Sequence, residues 1–194
     1  MKKINVRTIT ATALFGALGF VLMMLEFGLP IIPSFIKFDF SELPALLAAF
    51  AFGPWHGVLV CFIKNGLHLF VTNTAGVGEL ANFLMGVFLV VPAGLIYRHH
   101  KSRRTALLGS LTGSFVMGVA CVLINYFITY PIYYKIMIPE AVILQAYQAI
   151  LPSMDSILES LLIFNFPFTF AKGIVVSVIC GLIYKKISPI LKKK

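Results

Sequence analysis

Charge is scarce in this chain of 194 residues: 12% are Asp, Glu, Lys or Arg, and only seven are acidic. A soluble domain carries about one quarter charged residues. With 59% apolar residues, the chain lacks the polar surface that a water-soluble globule needs, so the soluble classes are excluded. Further absences narrow the function. No G-x-x-x-x-G-K-[ST] loop occurs, so the chain is not expected to hydrolyse ATP by itself. No H-E-x-x-H metal site and no G-x-S-x-G elbow is present. Lys64, His68, Asp39 and Glu42 could pair, but no nucleophile stands beside a base at a recognisable spacing, and the chain reads as no enzyme. The three cysteines, Cys61, Cys121 and Cys180, are isolated in apolar runs without C-x-x-C spacing, which leaves buried inert thiols and no metal site. No transit-peptide pattern or A-x-A cleavage site marks the first apolar run, which reads as a retained helix. Nor is there an internal repeat of the secondary-transporter kind: "TITATALFGAL" and "GELANFLMG" open two spans with no shared pattern.

Long apolar runs are what the chain does have. A crossing helix needs about 20 apolar residues at a rise of about 1.5 Å. That ruler predicts an all-α membrane protein, a single bundle over 1–194, with helices over roughly 8–26, 43–53, 57–71, 79–97, 105–130 and 157–187. The second and third are short for crossing alone, and "FGPWHG" joins them at the break Gly53-Pro54, with Trp55 and His56 suited to an interface.

The charges orient this bundle. If the N-terminus is cytoplasmic, an even count of six spans puts Lys2, Lys3, Arg7, Arg98, Lys101, Arg103, Arg104, Lys185, Lys186, Lys192, Lys193 and Lys194 inside, twelve of the sixteen basic residues. All seven acids, Glu26, Asp39, Glu42, Glu79, Glu140, Asp155 and Glu159, then face outward. Both termini are predicted on the cytoplasmic side of a multi-pass membrane protein. The net charge of +9 thereby finds its counterpart in anionic lipid headgroups. No aromatics interleave the basic clusters as in a single-strand groove, so no nucleic-acid partner is expected.

Polar groups in the outer half are the candidate ligand contacts, because ionisable side chains within spans are functional by default. Lys172 lies more than a turn inside the last helix. Asn165 and Thr169 at i, i+4, with Lys172 at i+3 from Thr169, make one polar stripe, and Pro167 frees a carbonyl on the preceding turn. Asn125 sits in "INYFITYPIYY", and Asn82 in "GELANFLMG" lies at similar depth; a carboxamide both donates and accepts, which suits the edge of a planar heterocycle. Tyr133 and Tyr134 read as an interfacial aromatic belt. "FIKFDFSELP" places three charges close together; Ser41 is expected to cap the second helix, with Pro44 in its first turn, while Asp39 accepts from Lys37 or caps the helix. "IPEAVILQAYQAIL" reads as an amphipathic segment, either a lid or an interfacial helix. Ala13 and Ala17, a small-x-x-x-small pair with Gly16 and Gly19 beside it, prepare the first helix for close packing within this chain or against another.

These segments carry a resemblance. "FIKFDFSELPALLAAFAFGPWHGVLVCFIKNGLHL", "GVGELANFLMG", "NYFITYPIYY", "PFTFAKG" and the Ala13-x-x-x-Ala17 pattern resemble the substrate-binding S-components of energy-coupling factor (ECF) transporters, and among them the riboflavin-binding RibU family, over nearly the whole length. The resemblance implies a six-helix bacterial plasma-membrane protein that captures riboflavin, with flavin mononucleotide an open second ligand. It would deliver its cargo to a transmembrane coupling subunit driven by two cytoplasmic ATPases, and it implies no cofactor. It assigns Asn125 and Lys172 to the flavin, Ile36 to the loop that closes over the ring, and Ala13 and Ala17 to the coupling subunit. Where this chain has Thr169 the family pattern has Asn; a hydroxyl also donates and accepts. An S-component for another vitamin and a stand-alone secondary transporter stand as alternatives.

Overall fold

The computed structural model describes residues 6–192, with side chains to 184; Lys2, Lys3, Lys193 and Lys194 of the basic clusters lie outside the described residues. Its helices are α1 (Val6–Met24), α2 (Glu42–Phe52), α3 (Pro54–His68), α4 (Val77–His99), α5 (Arg103–Ile124), α6 (Tyr130–Ile136), α7 (Glu140–Gln148), α8 (Ile157–Ser160) and α9 (Phe166–Lys192). A π turn, Asn125–Thr129, fuses α5 to α6, and a second, Leu161–Asn165, fuses α8 to α9. Among the described residues four continuous helices are long and apolar enough to cross a membrane: Val6–Met24, Val77–His99, Arg103–Ile136 and Ile157–Tyr184. As expected, α2 and α3 are short. They break at Gly53, whose φ of 110° an L side chain rarely adopts, and Pro54 opens α3 where no donor is needed.

The fifth predicted helix runs further than expected, past Pro131 to Ile136. Its π turn is the reason. The Tyr130 amide reaches back five residues to the Asn125 carbonyl, so the ladder is already widened where the Pro131 ring enters. The last helix repeats the device: the Phe166 amide reaches the Leu161 carbonyl one residue before Pro167.

Ser41 departs from expectation. Its side chain makes no cap bond; instead the Asp39 carboxylate accepts from the Ser41 amide at 2.7 Å, and Lys37 pairs with Glu26 at 3.3 Å. A two-stranded ribbon, β1 (Phe27–Gly28) and β2 (Lys37–Phe38), folds the intervening loop back over the bundle. In α1 the small residues divide. Gly16 and Gly19 face inward onto Ile63 and Lys64 of α3, whereas Ala13 and Ala17 are exposed.

The tightest helix pair is α4 with α5. A Cβ added at Gly109 would lie 2.8 Å from the Ala93 carbonyl, and one at Gly113 would strike the Leu89 carbonyl. "GSLTG" is thus a small-x-x-x-small seam within the chain. Gly113→Ala should separate the two helices at a cost of about 1–3 kcal/mol. A thermal unfolding scan in detergent checks this, and an unchanged midpoint would refute the seam.

Candidate ligand-binding site

A cavity of about 370 Å³ opens between the N-terminal ends of α4 and α9, the C-terminal end of α5 with its π turn, and the loop before α2. Ligand pockets span about 300–1,000 Å³. Ile36, Asn82, Asn125, Asn165, Thr169 and Lys172, drawn from four parts of the chain, all line it. Ala13 and Ala17 lie apart from it, on the exposed face of α1.

One wall is a chain of alternating charge. Lys172 Nζ donates to Asp39 Oδ2 at 2.8 Å and stands 3.1 Å from Glu42 Oε2. Lys64 Nζ donates to Glu42 Oε1 at 3.0 Å, to Ser41 Oγ at 2.6 Å and to Asn82 Oδ1 at 2.7 Å. Two cations balance two anions, so the network is neutral. An ammonium has three protons. Lys64, fully enclosed, spends all three on the protein. Lys172 spends two, and its third remains for whatever fills the cavity. Burial alone would raise the Asp39 pKa, but the charges of Lys172 and Lys64 outweigh it and hold the carboxyl below its ordinary 3.8. The contribution of this pair to stability is therefore complete above that value and is lost only as pH falls further.

The remaining polar points differ in what they leave free. Asn82 gives its oxygen to Lys64 and keeps its NH₂. The Cys121 sulfur accepts from Asn125 Nδ2 and from Thr169 Oγ1, each at 3.2 Å, which frees the Asn125 carbonyl and the lone pairs of Thr169. Asn165 is more committed: its oxygen accepts from Tyr147 at 2.7 Å and its nitrogen donates to Tyr130 at 3.4 Å. It braces the wall through α7, whose Tyr147 is wholly enclosed against Phe35 and Phe164. The segment that allowed two readings packs inward through Ile143 and Tyr147, and none of its residues lines the cavity.

Several lining groups were not singled out from the sequence. Thr129 is the clearest: its hydroxyl is buried in the cavity wall with no partner among the described residues. The π turn puts it there, and no sequence signal short of Pro131 announces that turn. At the rim, Glu79 receives His68 Nδ1 at 2.7 Å and Thr74 Oγ1 at 2.8 Å. Here a signal existed. Lys64 and His68 at i, i+4, and Glu79 and Asn82 at i, i+3, each share a helix face. Tyr133, read as belt, also lines the cavity.

Comparison with known proteins agrees with this geometry. The family model for the ECF transporter, substrate-specific component, matches residues 7–186. The chain is 33% identical to the riboflavin transporter RibU of Staphylococcus aureus (strain TCH60) over 189 residues, covering 97% of this chain and 94% of that one. It is 29% identical to the riboflavin transporter FmnP of Bacillus subtilis (strain 168) over 194 residues, 98% of this chain and 96% of that one. A solved S component of a bacterial ECF transporter superposes with a TM-score of 0.75 at 29% identity, over 96% of this chain and 98% of that chain. A cavity at one end of an apolar helical bundle and a match across almost the whole length lead to one statement: this chain belongs to the substrate-specific components of ECF transporters.

Proposed function

We propose that this chain captures riboflavin from outside the cell and presents it for ATP-driven uptake. Residues 1–194 act as one substrate-binding domain, with six helices crossing the bacterial plasma membrane and both termini in the cytoplasm. The cavity supports a neutral ring-bearing ligand. The charges of the Lys64, Glu42, Lys172 and Asp39 chain cancel one another, and the free points are a Lys172 proton, the Asn82 NH₂, the Asn125 carbonyl, the Thr129 hydroxyl and the lone pairs of Thr169. This mixture of donors and acceptors suits a heterocycle edge, while Ile36 and Phe168 supply apolar cover. The names of the relatives point to the same cargo.

Capture alone does not transport, because inward release needs a state that binds more weakly. A transmembrane coupling subunit seated on Ala13 and Ala17, with two ATPases, would supply that bias. No cofactor takes part; riboflavin is cargo.

The test is riboflavin titration of the purified protein in mild detergent, followed by flavin fluorescence, with flavin mononucleotide in parallel. Saturable quenching is expected, and its absence in the native chain overturns the riboflavin reading. Thr129→Val should weaken binding about tenfold without lowering the unfolding temperature of the empty protein, since it removes a hydroxyl that no protein group uses. Unchanged affinity would remove Thr129 from the site.

A further inference from the structure

A second cavity, of about 660 Å³, lies at the opposite end of the bundle, between the C-terminal end of α4, the N-terminal end of α5 and the C-terminal part of α9. Its floor holds Phe50, Tyr97 and Tyr184, tied together as Tyr97 Oη donates to Tyr184 Oη at 3.3 Å and Tyr184 Oη donates to the Phe50 carbonyl at 3.3 Å. Leu107 on α5 and Val178 and Leu182 on α9 form its sides and are exposed, so the cleft opens sideways onto the apolar face of the bundle. Gly181 keeps it open: a Cβ built there meets nothing within 4 Å. At one end stand Lys101 and Arg103. Among the described residues no ion pair engages either of them, and no acidic side chain lines the cleft.

We propose that this cleft binds one anionic phospholipid, with its headgroup phosphate between Lys101 and Arg103 and an acyl chain along Leu107, Val178 and Leu182. The cleft has a charged end and an apolar, laterally open body, and that is the order of parts in a phospholipid standing in one leaflet. Uncompensated cations beside a gap between spanning helices attract acidic headgroups. The location leaves the cleft open to lipid when the alanine face of α1 is engaged, because α1 packs on α2 and α3 whereas α5 packs on α4 and α9. The assignment rests on the membrane-spanning reading of the helices and is independent of the cargo.

Native mass spectrometry of the full chain, released from detergent with phosphatidylglycerol or phosphatidylcholine of matched acyl chains, tests it. Retention of phosphatidylglycerol over phosphatidylcholine is expected, falling about tenfold or more in the double variant Lys101→Gln/Arg103→Gln. Gly181→Leu, which fills the body of the cleft and leaves the cations in place, should lower retention as well. Size-exclusion elution identifies any variant that fails to fold, and the other variant then carries the test. Equal retention of the two lipids would mean that only an apolar chain occupies the cleft, and it overturns the proposal. So does undiminished retention in a folded variant. Displacement of the lipid by inorganic phosphate at equal concentration would reduce the site to a phosphate site and also defeats it.

Discussion

Lys172→Met is expected to destabilise the protein by about 3–5 kcal/mol, the range seen when one partner of a buried ion pair is removed. Glu42 would keep Lys64 as its cation, at 3.0 Å. Asp39 would lose its only ion-pair contact among the described residues and keep the more distant charge of Lys64 and the Ser41 amide as its hydrogen-bond partner. The companion variant separates stability from binding. In Lys172→Met/Asp39→Asn the uncompensated anion is gone as well, so the unfolding temperature should recover much of the loss. Riboflavin affinity should not recover, because the third ammonium proton is missing in both variants; a charge-assisted hydrogen bond of about 1.5–3 kcal/mol makes that loss roughly 10- to 100-fold. Thermal unfolding and flavin quenching on the same preparations read both quantities. If the single variant unfolds with the native protein, the charge chain contributes nothing net. If the double variant binds as the native protein does, Lys172 holds the wall and not the ligand.

Tyr147→Ala should cost a similar amount, about 3–5 kcal/mol for emptying a large aromatic site, with the damage localised. Tyr147 is the anchor of α7: it is fully enclosed, and its phenol lies 2.6 Å from that of Tyr130 and donates to Asn165 at 2.7 Å. Burial, together with the neighbouring Tyr130, pushes its ionisation far above the ordinary range, so the phenol keeps its proton throughout physiological pH. Without this anchor, amide exchange should accelerate in α7 and in the loop that carries Phe35, and bound flavin should leave faster. Tyr147→Phe keeps the packing and loses the bond, so about 1–3 kcal/mol is expected from the unsatisfied Asn165 oxygen. Exchange in α7 that does not change in Tyr147→Ala would show that this helix is held elsewhere.

The predictability of these features from the sequence followed their physical origin. Helix positions came from hydropathy and the Gly53-Pro54 break, which are local properties, and most ends moved by only a few residues, the extension of the fifth helix to Ile136 being the exception. Five of the six candidates that line the cavity stood out because amides, hydroxyls and a lysine are costly in hydrocarbon and conspicuous in an apolar run; Ile36 came from the resemblance alone. What each residue does there was less accessible. Lys64 and Lys172 look alike in sequence, and only the three-dimensional count of proton partners makes one structural and leaves the other a free donor. Asp39 read as a helix cap, and it does accept from the Ser41 amide, but its pairing with Lys172 spans 133 residues. The seam at Gly109 and Gly113 was open to the same small-residue rule applied to Ala13 and Ala17, and it was overlooked in "GSLTG". The unpartnered Thr129 hydroxyl depended on a π turn that no periodicity rule reports.

Those two π turns have a further consequence. Each inserts one extra residue into an otherwise regular helix, and one α-helical residue is about 100° of rotation. The wider turn takes up that residue, so the side chains across Asn125–Thr129 and across Leu161–Asn165 from the packed trunk face about 100° away from where an unbroken α-helix of the same sequence would put them. Deleting a single residue from either turn would restore a regular α-helix and leave the segment beyond it facing as it does now, whereas closing the turn to α geometry without a deletion would swing that segment through the angle. The chain thus carries two independent angular settings, one for the helices that hold the bundle together and one for the walls that meet the cargo.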